Sequence, residues 1–146
     1  MKRIIVVVLL FAGIASRAAA PTEKVLKAFK ETFTYAEKVV WHDYDNQYQA
    51  DFWQDQVNVR VRYDEDGNLI ETIRYYFEKQ LPPNILAKLK KRYADKEVFG
   101  VTEITSDNEV SYYISLKDDK NWYTVKSDAY GNLQQTEKYK RAEPRD

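Results

Sequence analysis

The chain has 146 residues, 44% hydrophobic and 32% charged, with 23 basic residues against 23 acidic. This composition fits one folded domain, or two small ones tightly joined, and excludes both disorder and an integral membrane protein. There is no cysteine and a single histidine, His42, which excludes disulfide scaffolds, thiolate metal sites, cysteine nucleophiles and most zinc or Ser/His constellations.

Met1-Lys2-Arg3, the apolar run over 4–14 and the small-residue stretch Ser16-Arg17-Ala18-Ala19-Ala20 predict an export signal over residues 1–20. The apolar run is shorter than the roughly 20 residues a spanning helix needs, so no stable membrane insertion is expected after cleavage. Cleavage after Ala18 and after Ala20 are both open. Removing Lys2, Arg3 and Arg17 leaves 20 basic residues against 23 acidic, a balance that argues against nucleic-acid binding. An exported chain without cysteine fits a bacterial periplasm or the exterior.

Behind Thr22, a predicted N-cap, Val25, Leu26, Phe29, Phe33 and Ala36 recur at helical spacing. The pattern then changes to period two, predicting strands over 39–43, 48–53, 57–63 and 69–77, with turns at Tyr44-Asp45-Asn46 and Asp64-Glu65-Asp66-Gly67-Asn68. Pro82-Pro83 marks a joint, and Asn84 is placed as the cap of a second helix bearing Ile85, Leu86, Leu89 and Tyr93. Strands over 101–105, 109–117, 122–127 and 133–140 follow. The short connections require antiparallel pairing.

A shift of 64 residues aligns the chain with itself without gaps. Tyr48 falls on Tyr112, Asp64 on Asp128, Gly67-Asn68-Leu69 on Gly131-Asn132-Leu133, and Tyr75 on Tyr139. The expected fold is α+β, a tandem repeat of a helix plus a four-stranded antiparallel meander, with units at 21–83 and 84–146 forming one curved sheet with helices on one face. Alternation assigns Val40, Tyr48, Ala50, Phe52, Val57, Val59, Val61, Tyr63, Leu69, Ile73, Tyr75, Phe77, Ile104 and Tyr139, among others, to the helix side. The opposite, open face then carries Trp41, Trp53, Arg60, Arg62, Arg74, Tyr76, Tyr113, Trp122 and Lys126. Aromatics and arginine on an uncovered sheet are the residue types enriched at interface centres.

The helix with Val25, Ala28-Phe29 and Phe33, the Val40-Trp41 step, Tyr48-x-Ala50-x-Phe52, the Tyr63-Asp64-x-Asp66-Gly67-Asn68-Leu69 hairpin and Leu81-Pro82 together resemble the PepSY-like group of exported bacterial proteins, also described as beta-lactamase-inhibitor-like (BLIP-like). The resemblance covers essentially the whole chain after the export signal. It implies a small periplasmic or secreted α+β protein without established enzyme activity, whose sheet could present a concave surface to a protein. It carries over no inhibitory contact residues.

Asp64 and Asp66 resemble the start of a calcium loop, but Leu69 and Tyr75 stand where an EF-hand needs Gly and a bidentate Glu. The competing reading is a tight hairpin in which Gly67 supplies a positive φ. A further calcium reading uses Asp43, Asp45 and Asp51. No cofactor is expected. The leading expectation is a non-enzymatic exported module whose open face binds an unidentified protein or an anionic envelope polymer. The alternatives are an inhibitor of a periplasmic hydrolase such as a beta-lactamase or protease, a calcium-responsive periplasmic protein and, as the one surviving enzyme reading, a hydrolase using paired carboxylates.

Overall fold

A computed structural model describes residues 20–142. The expected export signal lies outside the described residues apart from Ala20, as do the last four residues. The elements are α1 (Glu23–Thr32), β1 (Glu37–Tyr44), β2 (Gln47–Gln54), β3 (Val57–Asp64), β4 (Leu69–Tyr76), a 3₁₀ turn (Glu78–Gln80), α2 (Pro83–Arg92), β5 (Glu97–Ser106), β6 (Glu109–Lys117), β7 (Asn121–Asp128) and β8 (Leu133–Lys140). All eight strands join one antiparallel sheet in chain order, leaving β1 and β8 as its two edges. Two short helices on an open antiparallel sheet make the fold α+β.

Local chemistry sets these elements. Thr22 caps α1, its hydroxyl accepting from the Val25 N–H at 3.3 Å. Asn84 does not cap α2. Pro83 takes the first turn, where a missing N–H costs nothing, and the Asn84 amide instead donates to the Ala129 carbonyl at 3.0 Å. Two-residue hairpins at Asp45-Asn46, Asp55-Gln56 and Asp107-Asn108 carry positive φ at both positions, the type I′ signature that suits strand twist. At the β3–β4 hairpin Asp64 accepts the N–H groups of Asp66 and Asn68 and the Asn68 amide at 2.8 to 3.0 Å. Asp128 accepts the same three groups from Tyr130 and Asn132 at the β7–β8 hairpin. Each of these two hairpins receives a helix. Lys24 pairs with Asp66 at 2.6 Å under α1, and Lys88 donates to the Tyr130 carbonyl at 2.8 Å under α2.

The core lies between the helices and one face of the sheet. Val25 and Phe29 of α1 and Ile85 and Leu89 of α2 are buried with Ala50, Phe52, Val57, Val59, Val61, Tyr63, Ile114, Leu116 and Val125. Directly opposed residues share a face, so the pairing register assigns every other side chain. Trp41 pairs with Ala50, Thr72 with Val61, Arg74 with Val59, and Tyr76 with Val101. These four therefore stand on the helix side.

This corrects the alternation read for β1, β4, β5 and β8, the last of which carries Thr136 as an extra residue between Gln135 opposite Val125 and Glu137 opposite Thr124. Val40, Leu69, Ile73, Tyr75, Phe77, Ile104 and Tyr139 were expected in the core, whereas Val40, Leu69, Tyr75, Phe77 and Tyr139 are exposed and Ile73 pairs with Ile104 on the far face. The cause is a set of one-residue bulges. Glu37 opposes Trp53 while Val40 opposes Asp51, and Lys38 within that step has φ +55°. Tyr63 opposes Leu69 while Arg62 opposes Glu71, which makes Ile70 the extra residue. A one-residue insertion moves every later side chain to the other face.

Candidate functional site

The face without helices is built from register rows running across the strands. One row reads Val40, Asp51, Arg60, Ile73, Ile104 and Ser111 from β1 to β6. The adjacent row reads Trp53, Asn58, Tyr75, Thr102 and Tyr113 from β2 to β6, bounded by Glu37 on β1 and Lys126 on β7. Beside the second row is a hollow of about 340 Å³ whose lining residues include Trp53, Asn58, Tyr75, Phe77, Phe99 and Thr102, and no charged residue lines it. Its large side chains are well exposed, Trp53 at 45%, Phe77 at 69% and Phe99 at 54%. Phe99 is the extra residue of a further bulge, between Val98 opposite Leu116 and Gly100 opposite Ser115. A Cβ at Gly100, one of the lining residues, would meet nothing within 4 Å, so the space beside this glycine is open.

Of the expected open-face residues, Trp53, Arg60, Arg62, Tyr113, Trp122 and Lys126 are on this face. Trp41, Arg74 and Tyr76 are not. The Trp41 ring lies 5.1 Å from that of Phe29, edge to face, beneath α1, so the helix covers the indole. Arg74 and Tyr76 meet Glu103 on the helix side, where β4 joins β5. Arg74 bonds one carboxylate oxygen at 3.0 Å and the Tyr76 hydroxyl donates to the other at 2.5 Å. Burial, and then the Glu103 carboxylate, push the Tyr76 hydroxyl far above its ordinary pKa.

The cations of the open face are largely committed. Arg60 bonds Asp51 at 2.8 Å, and this bond is the chief cause raising its pKa. His42 and Gln49 approach the other oxygen of Asp51 at 3.1 Å each, while Arg62 pairs with Glu71 at 2.8 Å. Lys126 lies over the Tyr113 ring at 5.4 Å, Arg141 over Trp122 at 5.6 Å and Lys117 over Phe99 at 5.5 Å. Trp122 meets Phe99 edge to face at 4.8 Å. Tyr75, Phe77 and Phe99 are the residues missed from sequence. The available signal was that Leu69-Ile70-Glu71-Thr72-Ile73-Arg74-Tyr75-Tyr76-Phe77 carries apolar side chains in both phases, one of which must face away from the core.

Three of the five calcium candidates have other duties. Both oxygens of Asp64 are used by the hairpin, Asp66 is paired with Lys24, and Asp51 serves Arg60 and His42. The Asn68 amide and backbone bonds hold the Asp64 carboxyl below its ordinary pKa. Among the described residues no group of three or more candidate metal-binding side chains comes together, and no helix is long and apolar enough to cross a membrane.

No protein-family model matches the chain, and no curated protein matches it. Solved structures do. A BLIP-like protein from Bacteroides fragilis superposes with a TM-score of 0.65 at 20% identity, over 88% of this chain and 92% of its own. A DUF2874 family protein from Bacteroides ovatus gives 0.63 at 20% identity, covering 84% and 89%. A protein from Bacteroides eggerthii inferred to be periplasmic gives 0.61 at 16% identity, covering 84% and 90%. At such identities the shared property is the BLIP-like fold, which does not fix an activity.

Proposed function

We propose that this chain is a non-enzymatic, exported binding module of the PepSY-like, BLIP-like group, periplasmic or secreted, whose helix-free sheet face meets its ligand. The observation that carries this reading is the orientation of β4. Its more apolar phase, with Ile73, Tyr75 and then Phe77, points away from the helices, while Thr72, Arg74 and Tyr76 occupy the core side. Large exposed apolar groups gathered around a hollow mark interaction surfaces in soluble proteins. Because Arg60 and Arg62 are already paired, extracting them for an anionic polymer would forfeit existing contacts, and the aromatic groups are the stronger source of affinity. The test is the double variant Trp53→Ala/Phe77→Ala. Immobilised wild type retains a ligand from a periplasmic extract and the variant does not, with the unfolding midpoint nearly unchanged. A collapse of folding in the variant, or undiminished retention, overturns the reading.

The BLIP-like fold of the B. fragilis protein favours a second reading, inhibition of a periplasmic hydrolase by the same face. Titration against beta-lactamases and proteases tests it, and inhibition must vanish in the same double variant. The tandem origin of the chain, with units at 21–83 and 84–146, belongs with this proposal. Its support is the matched bonding of Asp64 and Asp128 to Asn68 and Asn132.

A further inference from the structure

The row Trp53, Asn58, Tyr75, Thr102, Tyr113 alternates an aromatic ring with a neutral hydrogen-bonding side chain over five successive strands. Neighbouring strands lie about 4.8 Å apart, so the three rings recur at intervals of roughly 10 Å, a length spanned by two pyranose units of a β-linked chain. The row carries no charge between Glu37 and Lys126 at its ends, although 32% of the chain is charged. Nucleic acids and anionic polymers would need free cations along their path, and the nearest arginines are committed to Asp51 and Glu71.

A sugar ring offers the complement of such a row. Its C–H face is apolar and weakly electropositive, which suits the negative face of an aromatic ring, and its hydroxyls are neutral donors and acceptors suited to Asn and Thr side chains. We infer that this row is a binding track for a linear, neutral oligosaccharide, with alternate rings stacked on Trp53 and Tyr75 and, where Lys126 swings off its ring, on Tyr113, and with hydroxyls bonded to Asn58 and Thr102. The hollow between Phe77 and Phe99, open above Gly100, gives room for a substituent beside the track. Strand twist rotates successive members of the row, so the ligand is a soluble chain whose glycosidic torsions can follow it and not a flat crystalline surface. The inference rests on the helix-free face being the binding face and names the chemistry of what binds there.

The test titrates the intact protein with β-1,4-linked gluco-, xylo- and chito-hexasaccharides, followed by amide chemical shifts and calorimetry. Saturable binding by at least one of them is expected, with shifts confined to the row and the hollow, and the responding saccharide identifies the ring substituents the hollow accepts. Trp53→Ala and Tyr75→Ala should each weaken binding about tenfold, Trp53→Phe should retain most of it, and Thr102→Glu should abolish it, all with unchanged unfolding midpoints. Silence from all three saccharides overturns the inference, as does binding that survives in the Trp53→Ala/Tyr75→Ala double variant. If the saccharides are silent while a protein ligand protects the same row, the oligosaccharide inference falls and the binding face stands. If neither perturbs the row, both fall.

Discussion

Gly67 and Gly131 hold φ of +84° and +79° at equivalent corners of two hairpins, yet their surroundings differ. A Cβ at Gly67 would lie 2.8 Å from the Lys24 carbonyl oxygen, part of the α1 backbone, whereas at Gly131 it would meet the Lys88 side chain at 2.9 Å. A flexible side chain can swing away and a helix backbone cannot. Gly67→Ala should therefore cost about 2 kcal/mol or more and Gly131→Ala about 1 kcal/mol, a difference that urea titration measures. The aspartates of these corners set the acid response. Asp64 and Asp128 are held below their ordinary pKa by the Asn68 and Asn132 bonds, and Asp118 by the Tyr123 hydroxyl at 2.6 Å. A folded-state pKa below that of the unfolded chain gives stabilisation that is complete above the unfolded value, near 4, and lost as pH falls through the folded value. Urea midpoints should thus drop below about pH 4, and Asp64→Asn with Asp128→Asn should lower the neutral-pH value and flatten that drop. These hairpins were legible from sequence because an Asp followed by Gly-Asn names its own bonding pattern within five residues.

The strand phases were less legible, for a reason visible in β1. Val39-Val40-Trp41 is apolar in both phases, so alternation gives no preference there, and the bulge at Lys38 turns Trp41 under Phe29 and leaves Val40 53% exposed. In β3, where Val57, Val59, Val61 and Tyr63 alternate with Asn58, Arg60 and Arg62, the phase was read correctly and all four apolar residues are buried. Bulges leave no comparable trace in the residue pattern, and each reverses everything after it. The two tryptophans separate these assignments by experiment. Trp41→Ala should destabilise the fold by about 3 kcal/mol, since it empties space beneath α1. Trp53→Ala should change stability by less than about 1 kcal/mol. Equal losses in chemical denaturation would contradict the assigned faces.

Across the whole molecule, β4 and β5 join the half containing α1 to the half containing α2, and Glu103 ties that joint by accepting from Arg74 and Tyr76. Glu103→Ala would leave a hydroxyl buried without its partner and a guanidinium stripped of its carboxylate. With Arg74 partly open to solvent, the expected cost is about 2 kcal/mol. Calorimetry should record one transition for the wild type, and two resolved transitions would show that the halves melt separately. The α+β class, the eight strands and their antiparallel pairing were all readable from turn residues and short connections. The composition of the uncovered side was not, because it depends on the cumulative effect of bulges in β1, β4, β5 and β8.

The strictly sequential strand order has a kinetic meaning. Every strand pairs with the one made just before it, and only the β4 to β5 step must wait for a helix to intervene. Such a topology keeps the loops to be closed short, which lowers the entropic barrier to each pairing and favours rapid acquisition of structure. A polypeptide emerging amino end first then zips together ribbon by ribbon, without holding sticky, half-finished edges open until its final residues arrive.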